Sequence, residues 1–153
     1  MPKRPRMRNR QRIRRSVLTL LAVTGLLLAG CGVDKQESVS LNLETFTSPD
    51  GNIGCIADET MVRCDIRKHS WKVKPDPECQ LDYGNGLALA DGKAEIVCAG
   101  DTTLNSGPEV GHGMINMVGP FECSSSHKGD SMRCENMNTG NGFELSRSEF
   151  STF

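Results

Sequence analysis

Beyond residue 42, apolar side chains recur at every second position in short runs, and Gly or Pro breaks the chain between them. No stretch there holds a 3.6-residue period for three turns, so helices are not expected. The alternating runs are residues 41–46, 53–57, 61–66, 87–90, 93–97, 121–125, 132–136 and 143–147. A period of two puts successive side chains on opposite faces, so each run reads as a strand with one buried face. Asp91-Gly92, between two runs, is the pair a two-residue hairpin favours, and the stretch Asp82-Tyr83-Gly84-Asn85-Gly86 reads as a loop. The pattern predicts an all-β, antiparallel domain, either a sandwich or an open barrel.

Two of the predicted hairpins are copies of one unit. Gly51-Asn52-Ile53-Gly54-Cys55 is followed by Val62-Arg63-Cys64-Asp65, and Gly119-Pro120-Phe121-Glu122-Cys123 by Met132-Arg133-Cys134-Glu135. Eight residues separate the first pair of cysteines and ten the second, an even difference that preserves which face each side chain occupies. A turn at Glu59-Thr60 sets Cys55 opposite Cys64. A turn at Lys128-Gly129, flanked by His127 and Asp130, sets Cys123 opposite Cys134. Facing residues in a non-hydrogen-bonded antiparallel pair lie about 4.5 Å apart at Cα, within disulfide range. Ile53, Ala57, Val62 and Ile66 share the face of the first bridge, Phe121 and Met132 that of the second, so both bridges should enter the core. Cys79 and Cys98 are left to pair with each other.

Composition makes those bridges important. Leu, Ile, Val and Phe supply 24 of the 123 residues from 31 onward, a thin core for a charged chain. Charge is also unevenly spread. Residues 1–30 carry eight basic residues and no acid, leaving ten basic against 19 acidic residues, or −9, in the remainder. An acidic domain lacks the basic footprint that nucleic acid requires, so no nucleic-acid partner is expected.

The basic start is followed by an apolar run over residues 17–28, too short for the ~20-residue helix that spans a bilayer but suited to a signal peptide. Leu28-Ala29-Gly30-Cys31 then matches the lipobox of bacterial lipoprotein signal peptides at every position. That resemblance implies a diacylglyceryl thioether on Cys31 and cleavage before it. It makes membrane lipid the first partner and the extracytoplasmic face of the cell membrane the location. The expected organisation is a signal peptide over 1–30, a lipidated Cys31 with a polar tether over 31–42, and the all-β domain over 43–153. Arg14-Arg15 also resembles a twin-arginine signal. Three disulfides favour the general secretory route, because they form after export from a reducing cytosol.

Phe46, Ser48-Pro49, Gly51-Asn52-Ile53-Gly54-Cys55, Cys64-Asp65-Ile66, Trp71, Gly100-Asp101-Thr102 and Thr139-Gly140-Asn141-Gly142-Phe143 with Leu145-Ser146-Arg147 form a second resemblance. Across about residues 46–150 the chain is similar to an uncharacterised family of small secreted or lipid-anchored actinobacterial domains. That family brings no catalytic residues to carry over.

Candidate chemistry is sparse. His69, His112 and His127 have no metal-ligand spacing and the cysteines suit disulfides, so neither a metal nor a cofactor is expected. Ser124-Ser125-Ser126 beside His127 lacks a nucleophile elbow and reads as hairpin chemistry, and Asn138-Thr139-Gly140-Asn141-Gly142 as a turn rather than an anion nest. Arg63 and Arg133 hold equivalent places in the repeat. They are candidate clamps for an anion between the hairpins, or structural partners of Asp65 and Glu135 two residues on. Trp71, in the basic stretch Lys68-His69-Ser70-Trp71-Lys72-Val73-Lys74, is the foremost surface-binding candidate, against an indole packed on the core with its N–H in water. These features favour a non-catalytic module that binds an envelope protein or glycan over a small surface hydrolase using Asp101 with a second carboxylate. Cys31→Ala should abolish membrane retention and leave uncleaved precursor or soluble product; a processed protein of unchanged size that still fractionates with membranes would refute lipidation.

Overall fold

The computed structural model describes residues 42–153; the expected signal peptide, Cys31 and most of the tether fall in residues 1–41, outside the described residues. Ten strands follow in order: β1 (Glu44–Thr47), β2 (Ile53–Ala57), β3 (Val62–Ile66), β4 (Asp82–Leu89), β5 (Glu95–Ala99), β6 (Ile115–Val118), β7 (Phe121–Ser125), β8 (Ser131–Asn136), β9 (Gly142–Ser146) and β10 (Phe150–Thr152). They make two five-stranded antiparallel sheets, ordered β1-β2-β3-β4-β5 and β10-β9-β8-β7-β6. Each sheet is a meander, so the repeat read in two hairpins extends to five strands, with β1–β5 matching β6–β10. The sheets pack face to face and do not close into a barrel.

The repeat's register is the expected one. Cys55 faces Cys64 and Cys123 faces Cys134, each pair 4.1 Å apart at Cα and bridged; Cys79 is bridged to Cys98. The first turn closes with Asp58 N–H donating to the Met61 carbonyl, while the Asp58 carboxylate accepts from Thr60 and the Met61 N–H. The second closes equally far from its cystine, between Ser126 and Ser131, one pair short of the expected two-residue turn at Lys128-Gly129, so its loop has four residues, His127 to Asp130. Gly129 occupies that loop at φ 78°, where a side chain would be strained.

Both hairpin cystines turn inward. Cys64 Sγ lies 3.8 Å from Cys134 Sγ, a packing contact between the sheets, since neither sulfur carries a hydrogen. Around them are Phe46, Ile53, Ile66, Leu87, Phe121, Met132, Phe143 and Leu145, all essentially inaccessible to solvent. Polar ties cross the same interface: Asn136 Nδ2 donates to the Ala90 carbonyl, and Ser70 N–H to that of Arg147.

The structure departs from the sequence pattern at three further places. The stretch 82–86, expected as a loop, is the first half of β4, where a bulge shifts the register between Tyr83 and Leu87 and hides the period of two. The β4–β5 register is the one centred on Asp91-Gly92, but the ladder stops at Ala88–Glu95, so the connection is longer than two residues. Strands β6 and β10 have no counterpart in the predicted runs.

Closing the three loops restricts the unfolded chain by about 3 kcal/mol per bridge in the entropy model, a large share of a ~5–15 kcal/mol total. Reduction with dithiothreitol should therefore lower the Tm by tens of degrees or unfold the domain. Non-reducing peptide maps should show Cys55–Cys64, Cys79–Cys98 and Cys123–Cys134, and a native Cys55–Cys134 peptide would contradict the register.

Candidate functional site

A cleft of about 280 Å³ opens on the outer face of the first sheet, lined by β3, the start of β4, the end of β5 and the chain just after it. Its architecture begins at glycines. Gly54 points outward from β2, and a Cβ there would run into the Thr103 carbonyl. The bare position lets residues 101–105 lie directly on the sheet, where Thr103 Oγ1 donates to the Gly54 carbonyl (2.6 Å) and accepts from the Asp65 N–H (3.1 Å). Gly86 on β4 faces Asp65, and a side chain there would displace that carboxylate.

Asp65 is 4% exposed and accepts from Arg63 Nε at 3.0 Å, Arg63 Nη2 at 2.8 Å and the Thr103 N–H at 2.9 Å. Arg63 Nη1 donates to Asp101 Oδ1 at 2.8 Å, and Nη2 also donates to the Asp101 carbonyl. One guanidinium thus joins β3 to the covering segment. Burial opposes its charge, but the hydrogen bonds to Asp65 and Asp101 outweigh that and raise its pKa. The same hydrogen bond, followed by the charge of Arg63, holds the Asp101 carboxyl below its ordinary value of 3.8. Arg67 hydrogen-bonds Asn105 at the margin, and Asp82, Asn85 and Thr102 complete the polar lining.

The second sheet repeats the pair without the cleft. Arg133 donates to Glu135 at 2.9 Å and stacks on the Phe153 ring, 3.8 Å from its centroid; that ring fills the space left bare by Gly142. Because Cys64 and Cys134 meet in the core, Arg63 and Arg133 stand on opposite outer faces. The anion clamp between the hairpins is therefore not formed, and each arginine pairs with the acid two residues on.

Trp71 is half-buried. Its Nε1–H donates to the Ser146 carbonyl at 2.8 Å rather than to water, its ring stacks on His69 with centroids 3.7 Å apart, and it meets Phe150 edge-on. It ties the β3–β4 connection to the second sheet. His69 Nδ1 lies 2.9 Å from the Trp71 carbonyl, and His112 Nδ1 3.2 Å from that of His127. Among the described residues, no three His, Cys, Asp or Glu side chains are grouped to hold a metal. Ser125 and Ser126 bond Gly111 and Asp130. The turn after β8 spends its N–H groups locally, with those of Thr139 and Gly140 donating to the Asn136 carbonyl.

The chain matches the family of unknown function DUF6636 over residues 26–153. It belongs to that family. The DUF6636 match takes in both repeat units, the cleft and Cys31. No curated protein and no solved structure matches the chain.

The cleft was not among the sequence candidates as a unit, although Arg63 and Asp101 each were. Its partners are 38 residues apart, and the only local signal was a glycine in the outward position of β2. The lowered Asp101 carboxyl gives a pH test. Stability from a depressed carboxyl is fully present above 3.8 and lost as pH falls through the lower folded value. Asp50, where burial is outweighed by hydrogen bonds from Ser48, Asn52 and Arg147, acts in the same direction. Chemical denaturation should show stability falling below about pH 4, and Asp101→Asn should flatten that acid limb; an unchanged limb would mean that Arg63–Asp101 contributes nothing.

Proposed function

We propose that this chain is a cell-envelope lipoprotein, held on the extracytoplasmic face by acylated Cys31, whose domain is a non-catalytic binding module that uses the cleft on the first sheet. The lipobox and the three disulfides support export and anchoring. The observation that carries the binding reading is the internal pairing of the cleft's charges around Arg63, with Asn85, Thr102, Asp82 and Arg67 left around them. Such a lining offers directional hydrogen bonds rather than a strong net charge, which suits a polyhydroxylated glycan or a polar peptide loop.

The alternative, hydrolysis by paired carboxylates, needs an acid whose pKa is raised toward neutrality. Asp101 is shifted the other way, and Asp65 spends its oxygens on Arg63 and Thr103. Both carboxylates are arranged as structure.

A photo-crosslinking residue at Asn85, in cells carrying the full chain, tests the reading. It should yield a discrete adduct, whereas the same probe at Glu144 on the other outer face should not. Gly54→Val, which must lift Thr103 from β2, should abolish the adduct while the protein remains in the membrane fraction. Equal labelling from both positions, or an adduct indifferent to Gly54→Val, would refute the cleft as the binding site. Loss of an enzymatic activity in Asp101→Asn would favour the hydrolase.

A further inference from the structure

One end of the sandwich carries exposed apolar side chains from four different places in the sequence. Leu43 precedes β1, Met61 closes the β2–β3 turn, Met117 lies near the end of β6, and Met137 follows β8. Strand pairing puts them together. Glu44 pairs with Ala57 beside the Asp58–Met61 turn, Gly119 lies against Glu59, and the Met137 N–H donates to the Pro120 carbonyl. Leu43 and Met117 line one shallow groove with Glu59. Leu43, Met117 and Met137 are 52–54% exposed and Met61 36%, although Met and Leu are residues a small domain ordinarily buries.

The chain also enters the domain at this end. Only eleven residues separate Cys31 from Leu43, and even fully extended they reach about 40 Å. An acylated Cys31 would hold these four side chains close to the bilayer, where tethering makes even a weak contact a populated one.

We propose that this end of the sandwich rests on the lipid bilayer, with Leu43, Met61, Met117 and Met137 entering the interface. The inference rests on the lipoprotein reading above. The turns at this end carry Asp58, Glu59 and Asp91 against Lys93, so the contact is apolar rather than electrostatic and prefers a zwitterionic surface to an anionic one. Membrane docking also fixes orientation. A lipid on Cys31 alone would leave the domain free to tumble at the end of its chain.

Methionine supplies the probe, because peroxide converts exposed Met to the sulfoxide. Met114 is 58% exposed but sits at the other end, before β6, where its carbonyl accepts from the Ser125 N–H; Met132 is fully buried. The full lipidated protein should be oxidised in phosphatidylcholine vesicles and each methionine quantified by mass spectrometry. Met61, Met117 and Met137 should oxidise several-fold more slowly than Met114, and added phosphatidylglycerol should reduce that protection. Comparable rates at Met114, Met117 and Met137 would overturn the proposal while leaving the anchor intact. Protection in native membranes but not in protein-free vesicles would assign this end to an envelope protein and overturn a lipid occupant. Failure of the wild-type chain to partition with membranes would instead sink the lipoprotein reading itself.

Discussion

The contact on which the rest of the structure depends is between two cystines. Cys55–Cys64 staples β2 to β3, Cys123–Cys134 staples β7 to β8, and the two bridges touch through Cys64 and Cys134 in the centre of the sandwich. Among the described residues, four of the sixteen buried apolar ones are these cysteines, so a quarter of that core is cystine. Sulfur is polarisable and packs as a small hydrophobe, while the covalent bond restricts the unfolded chain as side-chain burial cannot. A chain poor in Leu, Ile, Val and Phe therefore closes two sheets by building outward from sulfur. That solution needs an oxidising compartment, which makes the export expected from residues 1–31 a condition of the fold as well as an address. The third bridge, Cys79–Cys98, joins a half-buried to an exposed residue beside the β4 bulge and pins the β3–β4 connection rather than the core.

The repeat explains how a cleft arises on one sheet only. Both units keep an arginine and an acid two residues on, projecting from the third strand of each meander, and both place a glycine on the next strand opposite that acid. They diverge in what fills the bare positions. In the second unit the outward residue of the second strand is Glu122, and the Phe153 ring lies over Gly142. In the first unit the outward residue is Gly54, so the chain after β5 can settle on the sheet through Thr103 and bring Asp101 to Arg63. The bare position at Gly54 thus admits the covering segment beside Arg63, whereas Glu122 occupies the equivalent place beside Arg133.

Much of the scaffold was legible because period two and turn length constrain each other. The runs 53–57 and 121–125 coincide with β2 and β7, and the even difference between the two cysteine spacings was enough to set both registers. What escaped was structure whose pattern tertiary context overrides. In residues 115–118 Ile115 and Met117 face solvent while Asn116 and Val118 turn inward, so the apolar pattern does not follow the buried face used to find strands. Gly84-Asn85-Gly86 looked like a loop because the β4 bulge needs residues without bulk there, one of them at positive φ. The cleft was illegible for a related reason: Arg63, Asp65 and Asp101 meet only once residues 101–105 lie on the sheet, and nothing local to those residues specifies where the segment comes down. Trp71 shows what local sequence leaves out, since its basic neighbours suggested a surface reader and did not reveal that its ring and N–H also tie the two sheets together.

The positions of the cleft and the apolar end follow from strand direction. β3 runs from the turn at Met61 toward Ile66, β4 starts at Asp82 beside the far end of β5, and the covering segment leaves β5 after Ala99. Arg67, Asp82 and Ala99 therefore lie at the end opposite Leu43, Met61, Met117 and Met137, while Arg63, one residue into β3, extends from the nearer half to Asp65 and Asp101. A five-residue strand spans roughly 16 Å at ~3.3 Å per residue, whereas the headgroup layer on each side of a bilayer is only about 6 Å deep. With the methionine end in the interface, the side of the cleft at Arg67, Asp82 and Ala99 would stand clear of the headgroups and face the envelope. With the opposite end down, the cleft would be pressed against lipid, and the short tether would have to run the full length of the sandwich to reach Leu43. The apolar end, where the chain also enters at Leu43, and the polar cleft would thus be served by a single orientation.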